Sequence, residues 1–197
     1  MFVVVPRFDR LRSVVELEIQ RLYRRRYGAV LDSFAPMMVA EVTQAGTVEC
    51  VAGLRFGHEP LFLECYLDRP VEQVLEHHLC SEVERSQIVE VCHLAGAGSG
   101  RSLTFVRKLI AMLEATEVES AIFTATKPLR HLLRRSGLSL VELGAATIDR
   151  VPRPETWGSY FEHDPRIVAV VARTTLGLLK QPMPAIVPHR AIDVRVF

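Results

Sequence analysis

The sequence predicts one α/β domain, a mixed central sheet flanked by helices, and three observations lead there. Residues 37–44 and 47–56 read as strands joined by Ala45-Gly46, a turn suited to a β-hairpin. The apolar stretch of residues 86–94 runs into a glycine-rich turn and at once into an amphipathic helix, the order of a strand–helix unit. From there strand-like and helix-like segments alternate to about residue 148. With 197 residues, 49% hydrophobic and 24% charged, the chain is long and apolar enough to fill one such core.

Each element has a local reason. Asp9 is placed to cap a helix that runs to about Tyr27, where Leu11, Val15, Ile19 and Leu22 recur at helical spacing and Gly28 supplies the stop. Residues 29–36 form a loop before the hairpin. In its second strand Val48, Cys50, Ala52, Leu54 and Phe56 share one face, which leaves Glu49 and Arg55 on the other. Residues 61–66 read as a short third strand carrying Glu64 and Tyr66. Asp68 and Pro70 start a helix through Val71, Val74, Leu75 and Leu79. After the strand of residues 86–94 comes the helix of Leu103, Val106, Ile110 and Leu113. Residues 120–126 form a further strand, residues 127–136 a helix closed by Gly137, and residues 138–148 are extended. Residues 167–172 are either a strand or the start of a helix reaching residue 180. The domain is expected to span residues 1–180, with residues 181–197 a tail interrupted by Pro182, Pro184 and Pro188.

A net charge of +1 supplies no global basic field, so nucleic acid is not an expected partner. Basic residues still cluster at Arg24-Arg25-Arg26, at Arg101, Arg107 and Lys108, and at Arg130, Arg134 and Arg135. They are solvated helix faces, or a local patch for phosphates or an acidic protein. Cys50, Cys65, Cys80 and Cys92 stand singly, which argues against a zinc site or disulfide framework and for a reducing compartment. The apolar start is too short for a signal peptide, and no stretch has the length of a spanning helix. The expectation is a cytoplasmic protein with no transmembrane segment.

Chemistry concentrates at the turn Ala95, Gly96, Ala97, Gly98, Ser99, Gly100, Arg101 and Ser102. A strand, a turn poor in side chains and a helix N-terminus converge backbone N–H groups and the positive end of a helix dipole on an anion. The alternative is a tight strand-to-helix connection with nothing bound. No Lys-Ser/Thr follows, so it is not a Walker loop, and the dinucleotide fingerprint fails at Leu103. Gly98-x-Gly100-x-x-Leu103 instead resembles the pyrophosphate turn of GNAT-type acyltransferases, with Ala95 where those carry Gln or Arg.

Over most of residues 10–172 the chain also resembles the thermostable hemolysin family. The likeness rests on Arg55, Leu61-Phe-Leu-Glu-Cys-Tyr-Leu-Asp68, Ile88-Val-Glu-Val-Cys-His-Leu-Ala95, Phe123-Thr-Ala-Thr126, Arg135-Ser-Gly-Leu138 and Trp157-Gly-Ser-Tyr160. The chain departs from the family at Cys92-His93, where Gly-Asn is more usual. A GNAT-like fold is what this resemblance implies. More distantly the chain is similar to acyl-homoserine-lactone synthases, with Arg24 to Tyr27, Arg55 and Glu90 in the places of their arginine-rich helix, hairpin arginine and strand glutamate. That likeness implies an acyl carrier protein as donor, for which Arg24-Arg25-Arg26 is a suitable surface.

The resemblance therefore implies acyl transfer from a thioester, acyl-CoA or acyl-phosphopantetheine, to a small-molecule amine, with no tightly bound cofactor or metal. The alternative is a non-catalytic GNAT-like protein with a lytic or binding role. Amide formation needs a proton acceptor, and Glu90 is the first choice because burial in an apolar strand raises a carboxylate's pKa. Otherwise Glu90 is structural, paired to an arginine such as Arg55. Glu64 is the second candidate, or else a strand-edge charge. His93 faces away from Glu90 in a regular strand, as a core histidine would, unless a bulge turns it. Cys92 is a nucleophile or, as buried thiols usually are, inert. The position of the GNAT helix tyrosine falls on Leu133, which leaves Tyr160 or His131 to protonate the thiolate. Tyr27, Arg55, Tyr66 and Trp157 are the expected substrate-binding residues.

Overall fold

The computed structural model describes residues 1–96 and 99–171. A seven-stranded sheet is built from β1 (Phe2–Pro6), β2 (Met37–Val42), β3 (Val48–Phe56), β4 (Ile88–Gly96), β5 (Ser120–Ala125), β6 (Val141–Ala145) and β7 (Arg166–Val171). Its order is β1-β2-β3-β4-β5-β7-β6. Every neighbouring pair is antiparallel except β4 with β5. The helices are α1 (Arg12–Tyr27), α2 (Val71–Leu79), α3 (Ser99–Glu114) and α4 (Lys127–Arg135). Parallel strands require a crossover, and α3 supplies it between β4 and β5.

Strand alternation sorts the core into layers. Cys50, Ala52, Leu54, Val89 and Val91 face α3 and α4, where they meet Phe105, Leu109 and Leu133. On the opposite face Val3, Val5 and Val51 pack on Val15, Ile19 and Tyr23 of α1. Beside them Ile88, Ile122 and Ile167 pack on Val71 and Leu75 of α2. Each element thus buries its apolar stripe, and the mixed α/β sheet expected from the sequence is the one found.

Four local expectations change. Residues 2–6, weighed only as a targeting segment, form the edge strand β1, because their valines alternate between the two core faces. The run expected as a third strand is a 3-10 turn, Phe62–Tyr66. Pro60 precedes it, Leu63 and Tyr66 share its buried side at three-residue spacing, and the Glu90 carboxylate accepts the N–H groups of Phe62 and Leu63. Of residues 138–148, only Val141–Ala145 are strand. The segment after it, unassigned from sequence, folds into three 3-10 turns, Ile148–Arg150, Pro154–Trp157 and Tyr160–His163. These turns form a cap. Residues 167–171 are strand, and both the helix considered beyond them and the tail at 181–197 lie outside the described residues. Among the described residues no helix is long and apolar enough to cross a membrane.

Two irregularities in β4 position the site. Its register with β5 holds only for Ile88↔Ser120, Val89↔Ala121 and Glu90↔Ile122. Beyond Glu90, β4 continues along β3 to Gly96 while β5 continues along β7, so the two strands part. Against β3, the register steps from Gly53↔Cys92 to Val51↔Ala95, which places one extra residue in β4. His93 sits in this bulge with φ of 52°. Gly53 makes the bulge possible: a Cβ there would stand 2.9 Å from Cys92 Sγ and 3.0 Å from His93 Cδ2.

Candidate active site

The gap between β4 and β5 opens into a cleft of about 80 Å³. Glu90, Cys92 and His93 of β4 and Arg55 of β3 line it together with Tyr23 and Tyr27 of α1. Phe62 and Tyr66 close one side, and Trp157 and Tyr160 of the cap close another. The aromatic wall is continuous, with ring centroids 5.8 Å apart for Phe62–Trp157, 5.4 Å for Trp157–Tyr160 and 5.2 Å for Tyr27–Tyr160. Of the site residues expected from the sequence, Glu90, His93, Arg55, Tyr27, Tyr66 and Trp157 converge here.

Glu90 is only 3% exposed. Its Oε2 accepts the Phe62 N–H at 2.7 Å and its Oε1 the Leu63 N–H at 3.1 Å. Burial raises its pKa above the ordinary carboxylate range, against the opposing pull of those N–H groups and of Arg55. A buried carboxylate with a raised pKa beside a cleft is suited to taking up a proton.

The bulge turns His93 toward α1, so it shares the cleft with Glu90 instead of facing away as a regular strand requires. Its ring lies 6.3 Å from that of Tyr23 and 5.6 Å from that of Phe34. Burial first, and then Arg55 and Arg12, hold its pKa at about 4. The imidazole is therefore neutral near pH 7. Folding then binds fewer protons than the unfolded chain between pH 6.5 and 4, so stability is expected to fall on acidification through that window. The shift corresponds to about 3 kcal/mol at most. Urea unfolding of the wild type and His93→Gln at several pH values checks this: the difference between them should change across the window, and parallel curves would refute it.

Glu64 goes elsewhere. It is not among the cleft-lining residues, and it holds Arg85 through both oxygens at 2.6 and 2.9 Å and accepts the Val71 N–H at the start of α2. The bond to Arg85 lowers its pKa, the opposite of what a base near neutrality needs. Cys92 also lines the cleft, where burial pushes its thiol pKa far up and leaves it protonated. Leu133, at the position of the helix tyrosine, is core.

A second, open groove of about 860 Å³ lies on the other side of the gap. It shares Tyr23, Tyr27, Leu94, Thr126 and Leu129 with the cleft, so the two meet between the parted strands. Arg21, Arg25, Arg26, His131 and Arg135 line it, together with Ala95 and Gly96. Of the expected arginine triplet, Arg24 is exposed but does not line the groove. Ala95 and Gly96, at the start of the glycine turn, thus reach the groove, α3 begins at Ser99, and Ala97 and Gly98 lie outside the described residues. A side chain at Gly100 would meet open space, and Arg101 is exposed and paired with Glu49 at 2.7 Å. A small apolar chamber lined by Val106, Leu109 and Ile110 of α3 adjoins the cleft at Val91, Leu94 and Phe123.

Sequence reasoning missed Tyr23 and Phe62 as cleft residues. The signal was present for Tyr23, which falls one helical turn before Tyr27. Tyr160, raised only as a proton donor, is a cleft wall whose hydroxyl donates to Thr124 O at 3.5 Å. His131, its rival for that role, lies in the outer groove.

Comparison with solved structures matches this geometry to a known architecture. The acyl-homoserine-lactone synthase LasI superposes with a TM-score of 0.61 at 12% identity, covering 96% of this chain and 98% of its own. MesI, a CoA-dependent acyl-homoserine lactone synthase, gives 0.56 at 17%, covering 93% and 97%. FeeM, an N-acyl amino acid synthase from uncultured soil microbes, gives 0.60 at 11%, covering 90% and 98%. These neighbours are acyl-transferring synthases, and at such identities they establish the GNAT-like fold alone. No curated protein matches significantly by sequence. The profile of the thermostable hemolysin family, in contrast, matches residues 5–176, and the chain belongs to that family.

Proposed function

We propose that this protein transfers an acyl group from a pantetheine thioester to an amine, with Glu90 as the proton acceptor. The observation that carries this reading is the meeting of two spaces at the β4–β5 gap. A buried carboxylate lies on one side and an arginine-lined groove on the other. A thioester reaching in from the groove presents its carbonyl to an amine in the cleft. The amine nitrogen bonds to that carbon, the C–S bond breaks, Glu90 takes the amine proton, and the thiolate gains its proton from solvent in the open groove. Burial raises the Tyr160 pKa and makes it a poor acid for this last step. The bulge at His93 leaves one residue out of the ladder, and its N–H is a suitable donor to the developing oxyanion.

Donor phosphates are assigned to the turn of Gly96, Gly98, Gly100 and Ser102 at the start of α3, and the apolar chamber to the acyl tail. Arg25, Arg26 and Arg135 along the groove favour an acidic acyl carrier protein over free coenzyme A. The test is turnover of matched acyl-CoA and acyl-carrier donors by a panel of amines. The carrier-bound donor should be preferred, and its kcat/KM should fall steeply with salt because exposed charges are screened beyond about 8 Å at physiological ionic strength. Replacing Arg25, Arg26 and Arg135 by Ser should cost the carrier-bound donor about tenfold or more. Equal, salt-insensitive use of both donors would replace the carrier with coenzyme A. If neither donor reacts and neither protects the fold against heat, acyl transfer is refuted and a non-catalytic role is favoured.

A further inference from the structure

Arg55 and Glu90 stand directly opposite each other in the β3–β4 register, and both line the cleft. Yet no ion pair joins them among the described residues. Glu90 instead spends its oxygens on the Phe62 and Leu63 N–H groups. The Arg55 guanidinium lies against the Cys92 thiol, but its Nε is buried with no hydrogen-bond partner among the described residues, and so is His93 Nε2 in the same cleft. Buried polar nitrogens of this kind are rarely left unpaired, least of all the N–H of a guanidinium. The remaining titratable groups do not offset that charge. Burial keeps Tyr23, Tyr66, Tyr160 and Cys92 protonated and uncharged, and His93 is a neutral imidazole.

From this arrangement we infer that the amine acceptor is an α-amino acid, its carboxylate on Arg55 and its amine at Glu90. The inference rests on the acyl-transfer reading and names its acceptor. The spacing favours adjacent charges. Opposed residues on neighbouring antiparallel strands have Cα atoms about 4.5–5.5 Å apart, so their side chains serve two groups carried on one carbon better than groups at the ends of a long chain. A guanidinium recognises a planar carboxylate with paired donors, and the neutral His93 Nε2 is a further polar partner at the same place. The walls then address the acceptor's side chain. Tyr27, Phe62 and Trp157 present ring faces and edges and no charge, which suits an aromatic or apolar side chain. The acceptor's ammonium releases one proton to solvent before attack, Glu90 takes the second as the C–N bond forms and the C–S bond breaks, the thiolate gains a proton from solvent, and Glu90 returns its proton to solvent once the amide has left. The carboxylate stays ionised on Arg55 throughout.

The experiment compares L-phenylalanine, L-phenylalaninamide and phenethylamine as acceptors with one saturating acyl donor, and as ligands of the wild type in calorimetry without donor. Phenylalanine should exceed both carboxylate-free analogues in kcat/KM, and in affinity, by about tenfold or more. In Arg55→Gln that ratio should collapse towards one, and in Arg55→Lys, which keeps the charge and loses the planar fork, it should fall between. The analogue comparison on the wild type keeps the inference testable even if the variants fold poorly. Transfer to all three acceptors at equal efficiency would overturn the amino-acid acceptor and leave acyl transfer standing. Carboxylate-dependent binding with no transfer from any donor would support the Arg55 site and refute the acyl-transfer reading. Transfer to phenethylamine alone would overturn the inference outright.

Discussion

Glu90→Gln is expected to lower kcat for acyl transfer by ~100-fold or more, the usual contribution of a positioned general base. The substitution keeps the shape and removes the basicity. Donor affinity should persist, because the groove is lined by residues of α1, α4 and the end of β4 and does not include Glu90. The acid limb of the wild-type kcat/KM profile should lie above the ordinary carboxylate range, since burial raises the Glu90 pKa, and should vanish in the variant. Gln retains one carbonyl oxygen for the N–H groups of Phe62 and Leu63 and sets an amide N–H₂ against the other. Some loss of stability is therefore expected as well. Kinetics at a temperature where both proteins are folded separate the two effects. A variant with full kcat and an unchanged acid limb would make Glu90 only the anchor of the 62–66 turn.

What the sequence made legible follows from how local each signal is. Helix α1 and its stop at Gly28 rest on periodicity and on a left-handed residue, with φ of 70°, that glycine adopts at no steric cost. The hairpin rests on alternation and a turn at Gly46. Both are decided within a few residues. The bulge at His93 is not, because the residue there is neither Gly nor Asn, and its φ is set by packing over Gly53 on another strand. The 62–66 turn failed for the same reason: a mostly apolar run, residues 61–66, reads as a strand until the distant Glu90 carboxylate claims the N–H groups of Phe62 and Leu63. Glu90 was legible as a charge in an apolar strand. Glu64, the second candidate, was legible in the same way, and only the tertiary structure shows that Arg85 holds it away from the cleft. The cap of residues 148–163 carries no periodicity at all, so Trp157 was accessible only through resemblance.

Gly158→Ala is expected to detach that cap and to destabilise the protein by about 3 kcal/mol or more. Gly158 has φ of 52°, and a Cβ there would lie 2.0 Å from the Tyr27 carbonyl oxygen and 3.0 Å from the Gly28 carbonyl carbon. Those are backbone atoms at the end of α1, which cannot swing aside as a flexible side chain can. The approach is close because the cap is tied there, with Ser159 N–H donating to Tyr27 O at 2.8 Å and Val30 N–H to Thr156 O at 2.7 Å. To admit a methyl group the cap must move by about an ångström, breaking the Ser159 bond and shifting Trp157 and Tyr160 off the cleft wall. Gly46→Ala is the natural comparator, since Gly46 also has positive φ, at 81°, and nothing within 4 Å of a Cβ. It should cost only the backbone strain, about 1 kcal/mol. Trp157 is the chain's single tryptophan, so its emission reports the cap directly. In Gly158→Ala the emission should shift to the red as the ring meets water, with kcat/KM falling about tenfold or more as the aromatic wall opens. Unchanged emission and a urea midpoint equal to that of Gly46→Ala would show that the cap yields freely. Its hold on α1 would then not be what shapes the cleft.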